Sequence, residues 1–260
     1  MSRMAIFCIR PEPYYRAQAF MGGLAKLGYK ILPSSHPPLS LNRPNGPEDL
    51  LVIWNRKQGA DEQGADAWER QGGTVIVAEN GYLQKVDKTH YAISVHGHNG
   101  SGWFPVGDDK RFDKLGWGIK PMRESGEYIL VRDQRGIGST LMASPQNWGK
   151  RMQANLSRHA PFPVKLMGHP GDKGKLEKDA QALSGARSVV IWSSAIGVRA
   201  LVEGIPVQHF APHWICEKWA DDREAALERM ANGQWHFEEI ATGEPFARIL
   251  DRLKECPRWV

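Results

Sequence analysis

The chain alternates short apolar runs with amphipathic stretches, and the two periods follow one another in order. Ala5 to Ile9 is an apolar run, and Tyr14 to Leu27 carries apolar residues at helical spacing up to Gly28, a residue suited to ending a helix. Leu50 to Trp54, Ala60 to Gln71 and Thr74 to Ala78 then read as strand, helix and strand. Two strands joined through a helix need a right-handed crossover and lie parallel. That places Glu79 at the carboxyl end of a strand, where open α/β sheets hold their sites. Residues 33 to 49 contain five prolines and read as a loop near a sheet edge.

The pattern restarts at Tyr128. Strand Tyr128 to Arg132, helix Pro145 to His159, strand Pro163 to Met167, helix Lys175 to Leu183, strand Ser188 to Trp192, helix Gly197 to Val202 and strand Ile205 to His209 follow in turn. Residues 95 to 126, glycine-rich and then charged and aromatic, break the rhythm and read as a bridge. Amphipathic segments at Arg223 to Ala231 and Phe246 to Lys254 close the chain. The expected fold is α/β, with two Rossmann-like lobes and a cleft between them. The expected boundaries are 1–125 for the first lobe, 126–245 for the second and 246–260 for a final helix.

Composition narrows the setting. In 260 residues there is no run of 18 apolar ones, and MSRMAIFCIRPEP lacks the apolar core and cleavage site of a signal peptide. The expectation is a soluble, unexported protein with no membrane partner. Three cysteines at wide spacing, Cys8, Cys216 and Cys256, argue against a disulfide framework and for a reduced cytoplasm. The net charge of +5, spread over both halves, permits a polyanionic partner without demanding one.

Residues 188 to 207 hold the most informative chemistry. An apolar strand runs into Ser193 and Ser194, then a helix containing Gly197 with Glu203 near its end. The first N–H groups of such a helix lack intrahelical partners and, with the helix dipole, can hold a phosphate. Glu203 would reach a ribose hydroxyl. The same strand, turn and helix also occur in α/β proteins without a ligand. His169, before Pro170, follows the preceding strand and can donate to a phosphate, or be a turn residue only. Arg132, Gln134 and Arg135 follow the first strand of this half, suited to phosphate or sugar hydroxyls, or to a solvated basic loop.

Glu79 is the best candidate for a general base, with a helix cap or surface carboxylate as the bland alternative and Asp87 and Asp133 as weaker ones. His96 and His98 suggest a metal pair, but no third ligand stands at a persuasive spacing, and no metal is expected. The loop with His98 and Asn99 is more simply read as approaching an acceptor. Ten tryptophans, among them Trp103, Trp117 and Trp148 near Lys110, Arg111 and Lys114, read either as core aromatics with solvated cations or as a nucleic-acid surface.

Taken together, the order of these pieces resembles glycosyltransferases of the GT-B architecture, most closely the capsule-type Kdo transferases and their phage-encoded relatives. The points of resemblance are Trp54 to Lys57, the turn Glu79 to Leu83, Gln134, the His169-Pro170 pair, the Ser-Ser-x-x-Gly helix and Gly204 to Val207. Ala211 to Trp214 stands where those relatives carry a Gly-x-Pro-Phe/Tyr turn. The resemblance implies metal-independent, inverting sugar transfer with no resident cofactor. It implies a nucleotide sugar, UDP- or CMP-linked, as co-substrate, held by the His-Pro pair and the Ser-Ser helix. It also implies an acceptor-side first lobe, a nucleotide-sugar-binding second lobe and a final helix crossing back to the first. The preferred acceptor is a hydroxymethylpyrimidine in phage DNA, within the host cytoplasm, because the Asn-Gly-rich segment looks closer to the phage proteins. A surface polysaccharide, or a non-catalytic nucleotide or nucleic-acid binding role, is the alternative.

Overall fold

A computed structural model describes residues 3–10, 16–34, 43–84, 89–107, 110–168 and 175–257. The chain is α/β, with one mixed and one parallel sheet, and it divides into two compact units. The first comprises Met1–Asp109, Gly138–Leu141 and Ala231–Val260. The second comprises Lys110–Ile137 and Met142–Met230.

In the first unit, β1 (Met4–Phe7), β2 (Lys30–Pro33), β3 (Leu50–Trp54), β4 (Thr74–Asn80), β5 (His90–Val95) and β10 (Gln234–His236) form a sheet in the order β10-β5-β4-β3-β1-β2. The four strands from β4 to β2 are parallel, as the crossovers require, with Leu50 opposite Thr74 and Trp54 opposite Ala78. The run LLVIW of β3 is apolar throughout because both of its faces are covered. On one face Phe7, Val52, Ile76 and Ile93 pack with α1 (Ala17–Lys26), α8 (Phe237–Thr242) and α9 (Glu244–Asp251). On the other, Ile6, Leu51, Val75 and Val77 pack with Trp68 of α2 (Ala60–Arg70).

The sequence reading did not anticipate β2, β5 or β10. β2 occupies four residues just before and at the start of the proline-rich loop. β5 and β10 pair antiparallel, β5 on β4 and β10 on β5, and therefore carry no strand-helix-strand rhythm to announce them. Their pairing makes this sheet mixed.

The second unit follows its expected sequence more closely. Its strands β6 (Tyr128–Arg132), β7 (Val164–Met167), β8 (Ala186–Ile191) and β9 (Val207–His209) are all parallel, in the order β7-β6-β8-β9. Between them run α4 (Trp148–His159), α5 (Lys175–Ser184) and α6 (Ala195–Val202), while α3 (Arg111–Lys114) precedes the sheet and α7 (Arg223–Asn232) follows it. Val131, Val190 and Trp192 face α4, and Tyr128 on the opposite face donates its hydroxyl to the Ala182 carbonyl of α5 at 2.8 Å. The order reverses direction between β6 and β8, which opens a crevice at their carboxyl ends.

One close approach fixes the helical layer of the first unit. Gly23 of α1 is buried, and a Cβ there would collide with the Ile240 carbonyl oxygen of α8. Gly23→Ala is expected to destabilise the protein by about 1–3 kcal/mol through overpacking. A lower urea midpoint at unchanged slope is the measurement that checks it.

Candidate functional site

The carboxyl ends of β6 and β8 bring two of the sequence candidates into contact. Gln134 accepts the Ser193 N–H through Oε1 at 2.6 Å, and its Nε2 donates to Ser193 Oγ at 3.4 Å. Asp133, beside it, accepts the N–H groups of Gln134 at 3.0 Å and of Gly149, in the first turn of α4, at 3.1 Å. That carboxylate occupies the positive end of α4, so Asp133 serves there as a helix cap. The start of α6 is different. Ser194 is its N-cap with φ −65° and ψ 142°, yet its side chain makes no capping hydrogen bond. Gly197 donates to the Ser194 carbonyl at 3.0 Å, while Ala195 and Ile196, ahead of it, begin the helix with no capping side chain among the described residues.

Other candidates of this unit fall elsewhere. Gly197 is a packing residue: a Cβ would meet Ile191 and stand 2.9 Å from the Trp214 ring. Glu203 lies at the opposite end of α6, about 12 Å along the axis from the turn at 1.5 Å per residue. It is ion-paired there with Lys120 at 2.6 Å. It stands at the helix end, where its place in the sequence puts it, away from Ser193 and Ser194. Arg132 ends β6 with its side chain buried, 3.3 Å from Asp179, and its Nε and Nη1 have no hydrogen-bond partner. Burial pushes its ionisation below the ordinary arginine value, with Asp179 opposing the shift. Arg135 is exposed. His169 and Pro170, like Asp87, lie outside the described residues.

In the first unit Glu79 sits one residue before the end of β4, paired with Ala92 of β5. By the alternation of the strand it shares the face of Val75 and Val77. Beyond α2 that face is covered by the loop from His96 to Gly102. Ser94 Oγ donates to the Gly97 carbonyl at 2.6 Å and Ser101 Oγ to the His98 carbonyl at 2.7 Å, which curls the loop over the sheet. Asn99, with φ 56°, then donates its N–H to Glu79 Oε1 at 2.9 Å. Tyr82 donates its hydroxyl to the same oxygen at 2.6 Å. His98 is buried nearby in the chain, with Nδ1 unpartnered. His96 is bound instead to Glu69 at 2.7 Å and to the Pro257 carbonyl at 3.1 Å. Among the described residues no group of three or more His, Cys, Asp or Glu side chains is placed to hold a metal ion. Burial raises the Cys8 thiol to about 11 and that of Cys216 further, so neither offers a thiolate near neutral pH.

The basic residues assigned to an acceptor separate. Arg111 is 1% exposed, and the carboxylate of Glu228 accepts its N–H at 2.6 Å and that of Phe112 at 3.1 Å. A buried guanidinium cannot track a phosphate backbone, so Arg111 is corrected to a structural residue of α3. Lys110 and Lys114 are exposed. Trp148 is buried against Trp192 and Phe210, with ring centroids 6.0 and 5.9 Å away, and is a core aromatic.

The sequence reading missed Gln234. It is fully buried in β10, accepts the N–H groups of Tyr82 at 2.6 Å and Leu83 at 3.0 Å, and donates to the Leu83 carbonyl at 2.9 Å. It lies some 150 positions along the chain from that turn, so no local pattern marks it.

No family model matches the sequence, and no curated protein does. Among solved structures, the beta Kdo 2,4 transferase KpsC of Thermosulfurimonas dismutans matches with a TM-score of 0.51 and 16% identity, over 98% of this chain and 98% of that one. The chain has a glycosyltransferase-like fold. At that identity the likeness speaks for fold alone. A LacI-family transcriptional regulatory protein from Corynebacterium glutamicum matches at 11% identity over 99% of this chain and 94% of that one, with a TM-score of 0.27. Aspartate transcarbamoylase from Trypanosoma cruzi matches at 12% over 89% and 82%, with a TM-score of 0.25. Both superpose too loosely to bear on this chain.

Arg56, from the Trp54 to Lys57 segment, has a structural part. Its guanidinium is 1% exposed, donates to Asp66 at 2.5 Å and to Glu69 at 2.7 and 3.0 Å, and also binds the His96 carbonyl. Removing it takes the guanidinium away from the buried Glu69 carboxylate and from the His96 carbonyl. Arg56→Met is expected to cost about 3–5 kcal/mol, read from the urea midpoint.

Proposed function

We propose that the protein is a glycosyltransferase of the GT-B type, which moves a sugar from a nucleotide sugar to an acceptor hydroxyl. The observation that carries this reading is the uncapped start of α6 at the reversal point of a parallel sheet. Ser194 and the N–H groups of Ala195 and Ile196 would hold the donor phosphate there, with Gln134 fixing Ser193 beside them. The transferase fold of the structural neighbour supports it. Glu79 is proposed as the base. It takes the proton of the acceptor hydroxyl while the acceptor oxygen bonds to the anomeric carbon. The bond from that carbon to the phosphate oxygen breaks, and its electron pair leaves on the phosphate. One displacement of this kind inverts the sugar, and the N–H groups stabilise the departing charge. Whether the nucleotide is UDP or CMP is part of the test.

The acceptor is proposed as an alcohol without a nucleic-acid surface. Burial of Arg111 removes one of the cations that the DNA reading used. A polysaccharide hydroxyl suits the remaining residues better than phage DNA.

The experiment has two arms. UDP-glucose, UDP-galactose and CMP-N-acetylneuraminate are screened by thermal shift, since a true donor stabilises the fold by mass action. Ser194→Ala should then weaken binding of the donor so found by about tenfold, for loss of a hydrogen bond to a charged group. Glu79→Gln should keep donor affinity and lower turnover by about a hundredfold or more. Equal calorimetric affinity of wild type and Ser194→Ala would remove α6 from the donor site.

A further inference from the structure

Glu79 is held by more than its own strand. Its Oε1 receives two donors, the Tyr82 hydroxyl at 2.6 Å and the Asn99 N–H at 2.9 Å. Two donors on one oxygen orient the carboxylate, and the residue as a whole is partly exposed. Tyr82 is itself fixed from behind. Its N–H and that of Leu83 both end on Gln234 Oε1, and Gln234 Nε2 returns a hydrogen bond to the Leu83 carbonyl. Gly81 donates to the His90 carbonyl at 2.9 Å, which ties the same turn to β5. A buried amide on β10 therefore sets the main chain of the turn, the turn sets the phenol, and the phenol sets the carboxylate.

We infer that Tyr82, through its hydroxyl, and Gln234, through the Tyr82–Leu83 main chain, are positioning residues that aim Glu79 Oε2 at the proton it removes. The inference rests on the reading of Glu79 as the base. It goes beyond that reading by naming which oxygen works and what orients it. A misplacement of a catalytic group by about 1 Å can cost up to a hundredfold in rate, so a hydroxyl that touches no substrate can matter to turnover.

A double-mutant cycle tests it. Turnover of the donor selected by thermal shift is followed as hydrolysis to water, and donor affinity by calorimetry, for wild type, Tyr82→Phe, Glu79→Gln and the double variant. Tyr82→Phe removes only an oxygen from a buried ring. It should lower kcat by about ten- to a hundredfold with donor Kd unchanged, and should change kcat less than about twofold in the Glu79→Gln background. Equal losses in both backgrounds, or no loss in either, overturn the positioning role and leave Glu79 as it was. If Glu79→Gln retains wild-type turnover, or the wild type turns over no member of the panel, the base reading itself fails, and the inference with it. For Gln234, the Glu variant keeps the oxygen that accepts both N–H groups and loses one donor, whereas the Met variant loses all three bonds. Gln234→Glu should retain more kcat than Gln234→Met, with faster Tyr82 and Leu83 amide exchange in the latter. Equal kcat in the two, at unequal exchange, overturns the role of Gln234.

Discussion

The parallel pairing of β6 with β8 is the constraint on which the candidate donor site depends. Val131 opposite Val190 puts the ends of the two strands side by side, so the turns that leave them must meet. One turn carries Asp133 and Gln134, the other Ser193 and Ser194. Because β7 lies on one side of β6 and β8 on the other, the helices that follow β6 and β8 cover opposite faces and leave the crevice between them open. Asp133 closes the start of α4, and among the described residues no carboxylate is hydrogen-bonded to the start of α6. Two helices with the same dipole thus differ among the described residues, one carrying a carboxylate at its start and one not.

The first unit solves a different problem, that of orienting a partly buried carboxylate. β5 turns back antiparallel on β4, and among the described residues it is followed by a loop that holds a single 3-10 turn, Asn99–Ser101. A seven-residue loop, His96 to Gly102, takes the place of a helix, and its sharp turns require left-handed backbone at His96 and Asn99. Main chain so exposed to the sheet face has N–H groups to offer, and Asn99 offers one to Glu79. A regular helix in the same place would have used that N–H internally.

Much of this was legible in the residues. The parallel strands β3, β4, β6, β7, β8 and β9 stood out as apolar runs separated by helical periods, because burial on both faces leaves few polar positions. β2, β5 and β10 did not. β10 has three residues, and an antiparallel partner far along the chain leaves no local period to detect. Gln134 and Ser193 were each recognisable as turn residues after a strand, and Glu79 as a strand-end carboxylate. Glu203 was legible as a helix-end carboxylate, and eight residues of helix carry it away from the turn. Arg111 was misjudged because a charge in the sequence does not say whether Glu228, 117 positions away, has already claimed its segment.

The sequence by itself determined which segments are strands and helices where the apolar period is strong, and with them the parallel order that brings strand-end turns to one edge. Those are consequences of local periodicity and of the handedness of crossovers, and both are written in consecutive residues. Only the tertiary structure decided which charges face solvent, which helix start stays uncapped, and which buried amide stands behind Glu79. Each of these depends on contacts between residues tens to more than a hundred positions apart, as Gln234 with Tyr82 and Glu228 with Arg111. A side chain's chemistry is local, but its burial and its partners are set by whatever the fold brings beside it.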